Sequence, residues 1–482
     1  MSTDRYEMVV GLEVHVQLRT RTKAFCSCSA AYGAPPNANT CPVCLALPGA
    51  LPVLNETAVL LAVRAAHALG CEVHLVSIFA RKNYFYPDLP KGYQISQYDR
   101  PLATSGCLTI GALADGSPIN VGITRLHLEE DAGKSIHDRY SGVTAIDLNR
   151  SGVPLIEIVS EPDMRSTDEA AAYLHELKQI LEYVDVSDVN MEEGSLRVDA
   201  NISTRLRGET RLGTKTEVKN MNSFSAVEQA LRAEFERQCA VLDAGGRVEQ
   251  QTMLWDGARG QVRPSRSKEG SQDYRYFPEP DLPPLILSRE WIEEVKQSLP
   301  ELPSAKRIRF AEEYSLNRAD LVVLTSSPRL ADYFESVARQ LGDPKVAANW
   351  VMGEVLAAVR ASGWAIADFE LRVRPADLAQ LLAMVRDGRL SNSAAKRVFA
   401  EMAAHGDPPE KVADRLGLRQ VSDEDAIAEW VEQVLRENPT EAQRYLKGER
   451  KLQGVLVGLV MKKSNGRADP KRVNQLLSAR SG

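Results

Sequence analysis

Carboxylate and imidazole side chains alternate with branched aliphatics between Met8 and Leu18, where Glu13, His15 and Gln17 interleave with Leu12, Val14, Val16 and Leu18. A period of two makes this a strand with one apolar face and one face carrying an acid and a base. Any half-buried strand alternates in this way, so the pair gains meaning only if the pattern recurs. It does. In GITRLHLEED, Arg125, His127 and Glu129 alternate with Leu126, Leu128 and Glu130. In VPLIEIVSEPD, Glu157 stands alone inside an apolar run, where an ionised carboxylate is costly unless a cation compensates it. In EEGSLRVDANIS, Arg197 and Asp199 alternate with Leu196, Val198 and Ala200. Together these segments describe a sheet with one face on a core and the other lined by Glu13, His15, Glu130, Glu157, Arg197 and Asp199. Such oxygen-rich sites suit Mg2+, and Mg2+ carries nucleotide phosphates, so the expected cofactors are ATP and Mg2+. AGKS at 132–135 lacks the upstream glycine of a phosphate-binding loop, and no glycine-rich dinucleotide fingerprint is present. Strands would have to form the cradle.

A second constellation is soft rather than hard. Cys26 and Cys28, a spacer of twelve residues, then Cys41 and Cys44 form two short chelating pairs, the spacing of a four-thiolate zinc knuckle. With all four positions filled by protein, Zn2+ there is structural. Cys71, Cys107 and Cys239 are isolated and read as packing residues.

The elements that position these groups follow from length and periodicity. A chain of 482 residues exceeds one core and divides into about three domains. Segments 57–69, 166–184 and 225–242 read as helices packed on the sheet; the second opens with Ser166 and Glu169 at capping-box spacing. The proline- and charge-rich stretch 265–284 reads as an exit, and from about 285 the pattern is helical. The expected organisation is a cradle domain over 1–285, a helical domain over 286–405 and a small helical tail over 406–482, an α+β chain overall. No secretory leader or membrane span is expected, and a cytoplasmic location would keep the thiols reduced.

Two regions invite nucleic acid despite a net charge of -6. Between Arg81 and Asp99, Arg81, Lys82 and Lys91 are interleaved with Tyr84 and Tyr93 among prolines, side chains suited to phosphates and unpaired bases. From Arg444 onward, ten Lys and Arg residues, among them Lys462, Lys463, Lys471 and Arg472, face only Glu449 and Asp469. That is a focused cationic patch.

GLEVHVQL, RKNYFYPDLPKGYQISQYD, RLHLEEDAGKS, GVPLIEIVSEPD, MEEGSLRVDANIS, TKTEVKNMNSF and DYRYFPEPDLPPL, with GVLVGLVMKKSNGRADPKRVNQLL near the end, resemble in order the signature segments of the B subunits of the aspartyl/glutamyl-tRNA amidotransferases. The resemblance implies an antiparallel cradle of the type shared with glutamine synthetase, a helical domain and a tail that holds tRNA. It implies ATP-dependent activation of Asp on tRNA-Asn, or Glu on tRNA-Gln, and amidation by ammonia. On the family's pattern Glu13, His15, Glu130 and Glu157 correspond to catalytic and Mg2+ positions, and the cysteines to a zinc knuckle that only some members keep. The phosphate role of Arg197 is read from its place on the polar face. No serine- or cysteine-based glutaminase motif is present, so the resemblance implies a heterotrimer with a separate amidase, the A subunit, as ammonia source and a small C subunit. Misacylated tRNA and the aspartyl- or glutamyl-tRNA synthetase complete the expected partners.

Two other readings share part of this pattern: a non-catalytic tRNA scaffold, and an amide ligase acting on a small metabolite. Glu157 in its apolar run opposes the first and the basic tail opposes the second. The full chain should therefore bind tRNA with an affinity that falls as salt rises. Alanine at Lys462, Lys463, Lys471 and Arg472 should reduce the log–log salt slope by about one for each phosphate no longer neutralised. An unchanged slope in a filter-binding series would show a merely solvated tail.

Overall fold

The computed structural model describes residues 3–111, 117–137, 141–265, 274–418, 424–464 and 467–480. Two compact units divide the chain, Met1–Leu302 and Pro303–Gly482.

The first unit is built on a nine-stranded sheet. Its order across the sheet is Gln261–Pro264, Thr252–Asp256, Thr216–Met221, Leu196–Leu206, Tyr6–Gln17, Pro154–Ser160, Ile119–Glu130, Ala103–Ile110 and Glu72–Val73. Every neighbouring pair is antiparallel except Thr216–Met221 with Thr252–Asp256. The Tyr6–Gln17 strand lies near the centre, and its alternation is the one read from sequence: Leu12, Val14 and Val16 are fully buried. They join Leu126, Ile156, Ile158, Val198 and Ala200 in one apolar layer. Helices Glu56–Ala68, Thr167–Tyr183 and Phe224–Asp243 contribute to that core through Ala62, Tyr173, Leu177, Val227 and Leu231.

Local chemistry sets the helix ends. Ser166 accepts from the Glu169 amide at 3.1 Å, and the Glu169 carboxylate returns to the Arg165 amide at 2.6 Å, one residue before the cap itself. Gly70, at φ 67°, takes the left-handed conformation that ends Glu56–Ala68. On the opposite side of the sheet, a three-stranded sheet (Phe277–Pro278, Phe79–Asn83, Tyr93–Gln97) brings Gln94 and Ser96 to the polar residues of the Ile119–Glu130 strand.

The boundary of this unit lies beyond the expected 285. Leu285–Ile286 pairs with Val76–Ser77, and Val295 of helix Arg289–Gln297 is part of the sheet unit's core. The second unit is helical and holds two apolar clusters, one over Phe310–Leu418 and one over Ile427–Leu477. The expected division near 406 falls inside the first of these, because Val412, Ala413 and Leu418 pack with Phe399 and Met402. Among the described residues no helix is long and apolar enough to cross a membrane.

A chain ending at Pro408 loses three side chains of that cluster, each worth about 1–3 kcal/mol of burial. It should unfold at lower denaturant than a chain ending near 420. Equal midpoints in urea would contradict the cluster assignment.

Candidate active site and cysteine knuckle

Strand register, more than sequence distance, assembles the polar face. His15 lies opposite Arg197 on one side and Glu157 on the other, and Glu157 lies opposite His127. Four strands thus contribute one row, Arg197, His15, Glu157 and His127, in which a single acid lies between two imidazoles. His15 Nε2 is 3.2 Å from Glu157 Oε2. His127 Nε2 is 3.1 Å from Glu129 Oε1 and 3.8 Å from Glu157 Oε2. Possible ligand atoms of His15, Glu129 and Glu157 all lie within 4.8 Å of one another.

The grouping includes the neighbour of one expected residue. It is Glu129, not Glu130, that meets His15 and Glu157. The period of two sets Glu129 with Arg125 and His127, and Glu130 with Leu126 and Leu128. The Glu130 carboxylate ion-pairs with Lys91 and accepts from the Ile95 amide at 2.9 Å, lining a cavity of about 190 Å³ with Lys23, Phe25 and Cys44. Counting by two from His127 would have found Glu129.

Glu13 is on the polar face, opposite Asp199, with Asn201 donating to it at 2.9 Å. Asp199 is paired with Lys219 at 2.8 Å, and Arg197 with the buried Asp131 at 2.7 Å.

Electrostatics separate the three carboxylates. Burial would raise Glu157, but His127 and the hydrogen bond from His15 hold it well below the usual carboxylate range. Burial acts the same way on Glu129, and Lys82 and His127 overcome it. On Glu13, burial first and then Glu157 outweigh the Asn201 hydrogen bond and His15, and the carboxyl is raised. His15 is raised because Glu157 outweighs burial. The sign follows: the His15–Glu157 pair stabilises the fold below the ordinary histidine value and loses that contribution as pH rises through the raised one. Glu157, lowered, contributes above the ordinary carboxylate value and loses it on acidification.

The four cysteine sulfurs also lie within 4.8 Å of one another. The knuckle is anchored to the chain leading into the Glu157 strand: the Asn37 amide donates to Asp147 at 3.1 Å and the Asn39 amide to Asn149 at 2.8 Å. Lys23, fully buried, donates from Nζ to the Asn39 carbonyl at 2.7 Å. A hydrogen bond from Cys26, with help from Lys23, pulls the Cys44 thiol down to about 4, and burial pushes Cys28 up to about 11. Four converging sulfurs fit a divalent soft metal.

Comparison with known proteins decides the family. The GatB/GatE catalytic domain matches residues 8–293, and the GatB domain matches residues 332–480. The B subunit of the aspartyl/glutamyl-tRNA(Asn/Gln) amidotransferase of Carboxydothermus hydrogenoformans is 50% identical over 475 residues, 98% of each chain. The protein of that name from Moorella thermoacetica is 51% identical over 477 residues, covering 98% of this chain and 99% of its own. The chain belongs to the GatB family of aspartyl/glutamyl-tRNA amidotransferase subunits.

In this GatB family member, several residues expected to contact tRNA are held by the protein itself. Arg81 makes two hydrogen bonds to Glu279, at 2.8 and 2.7 Å, and stacks over Tyr93 at 4.2 Å. Lys91 is bound to Glu130, and Lys82 lies 5.1 Å from the Tyr274 ring centroid and senses Glu129 and Glu157. Tyr84 donates to Gln94 at 3.3 Å. Arg81 and Lys91 thus form part of an ion-paired frame beside the carboxylates. In the tail, Lys463 pairs with Glu437 and Arg480 with Glu432, acids that lie upstream of the basic run; Lys462, Lys471 and Arg472 are exposed.

Zinc binding by the knuckle should release protons, since thiols must ionise to ligate. Its calorimetric enthalpy should vary with the ionisation heat of the buffer, and Cys41→Ser should abolish binding. A buffer-independent enthalpy, or binding that survives the substitution, would contradict a four-thiolate site.

Proposed function

We propose that this chain activates the side-chain carboxylate of Asp on tRNA-Asn, of Glu on tRNA-Gln, or of both, and hands it to ammonia. The observation that carries this reading is the convergence of His15, Glu129 and Glu157 on one buried sheet face beside Lys82 and Arg125. The relatives bear the matching name. A carboxylate is a poor electrophile because oxide is a poor leaving group. Transfer of the γ-phosphoryl group of ATP to one carboxylate oxygen gives an acyl phosphate and ADP; ammonia then attacks the carbonyl carbon, phosphate leaves and a proton is lost.

His15, Glu129 and Glu157 have the hard donor set and spacing that fit Mg2+, which would neutralise phosphate charge during transfer. The chain's own residues do the rest. Arg125, 3.7 Å from Glu157, and Arg197, 2.7 Å from Asp131, put guanidinium charge on this face for phosphate oxygens. Glu13, raised and only lightly bonded, is placed to hold a proton near the reacting groups. Asp199, opposite Glu13, keeps Lys219 at that end of the site. The antiparallel sheet with one polar face supports the glutamine synthetase-like cradle that the resemblance implies. Exposed Lys462, Lys471 and Arg472 are proposed to meet the tRNA backbone. The separate amidase and the small third protein of the complex would complete a cytoplasmic heterotrimer, the amidase supplying ammonia, and the cysteine knuckle would carry structural zinc.

The test is amide formation by the reconstituted complex on both mischarged tRNAs. Glu157→Ala should reduce turnover at least ~100-fold while tRNA affinity changes little. Glu13→Gln should also lose activity, yet leave the melting temperature unchanged or higher, because it removes a carboxylate whose ionisation the fold disfavours. Full amidation by either variant would refute the assignment.

A further inference from the structure

We infer that His127 is a positioning residue for the metal-binding carboxylates, holding Glu129 beside Glu157 through its Nε2–H. This rests on the reading above that His15, Glu129 and Glu157 share a divalent cation.

His127 is 2% exposed and sits in mid-strand between two core leucines, Leu126 and Leu128. Its Nε2 faces carboxylate oxygens, at 3.1 Å for Glu129 and 3.8 Å for Glu157. Carboxylates accept, so the hydrogen is on Nε2. The other ring nitrogen, Nδ1, is buried and has no hydrogen-bond partner. An unsatisfied polar atom in the interior costs free energy, and a residue serving only as packing would avoid it by being aliphatic like its neighbours. The Nε2 contact supplies the reason for a histidine here.

Glu129 is held from other directions as well. Ser96 Oγ donates to Oε1 at 2.5 Å and Gln94 Nε2 to Oε2 at 2.9 Å. With His127, three donors from two sheets fix the plane of this carboxylate before any cation arrives. Strand pairing sets His127 directly opposite Glu157, so the same imidazole spans both acids. Outer donors of this kind orient metal ligands, and their loss typically weakens metal affinity by about 10–100-fold.

Side-chain geometry supplies a rescue experiment. Glutamine carries its amide nitrogen at the reach of histidine Nε2, whereas asparagine carries it at the reach of Nδ1. His127→Gln, His127→Asn and His127→Ala would be prepared in the full chain and assembled into the complex. Mn2+ binding would be titrated by electron paramagnetic resonance, alongside melting temperature and the Mg2+ dependence of amidation. His127→Gln should bind Mn2+ within about threefold of wild type. His127→Asn and His127→Ala should bind it about 10–100-fold more weakly, with amidation recovering at high Mg2+. Undiminished Mn2+ affinity in the Asn and Ala variants, whatever their melting temperatures, would overturn the role, as would a Gln variant as weak as Ala. A wild-type chain that binds no Mn2+ would instead overturn the cation reading on which the role depends.

Discussion

Two buried carboxylates, Glu129 and Glu157, must stay ionised side by side on one face of a sheet, and the surrounding structure is arranged around that demand. Like charges in a dry site repel strongly unless positive partners are fixed among them. Here cations and hydrogen-bond donors come from both sides: His15 and the His127 Nε2 from adjacent strands, the Lys82 ammonium and the neutral Gln94 and Ser96 donors from the smaller sheet. The result is a pair of acids held in their charged form on one face of the sheet. Glu13, one register step away, is raised instead, because burial and Glu157 outweigh His15 and Asn201. Environment thus gives chemically identical groups different jobs.

The rest of the first unit keeps that row in place. Antiparallel register lines up residues more than a hundred positions apart, and the layer of Leu12, Val14, Val16, Ile156 and Ile158 beneath it leaves no freedom for a slip. A shift of one residue would turn every acid into the core. The cysteine knuckle fits the same logic. Through Asn37, Asn39 and Lys23 it braces the segment 147–149, which feeds directly into the Glu157 strand.

Much of this was legible in the chain. Alternation about Glu13 and His15 gave the central strand and its two faces, and the isolated Glu157 pointed to a compensated charge. Capping residues and helical spacing located helices such as Thr167–Tyr183 to within a residue or two. What sequence alone could not show was which cations pair with which acids. Arg81 looks like a phosphate ligand until Glu279, almost two hundred residues later, closes on it. Lys463 looks free until Glu437 is folded beside it. The approach of Glu129 to Glu157 is different in kind, because parity from His127 was there to be counted. The domain limits at 285 and 405 were drawn from composition, whereas Val295 and Val412 show that packing continues past them.

The central claim, that His15, Glu129 and Glu157 jointly grip a divalent cation, is tested most directly by diffraction from crystals soaked in Mn2+. The account predicts an anomalous peak bonded to all three side chains, at separations near the 2.0–2.1 Å typical of Mg2+ or slightly longer. A peak on Glu130 instead, or none on this face of the sheet while ATP is bound, would contradict it.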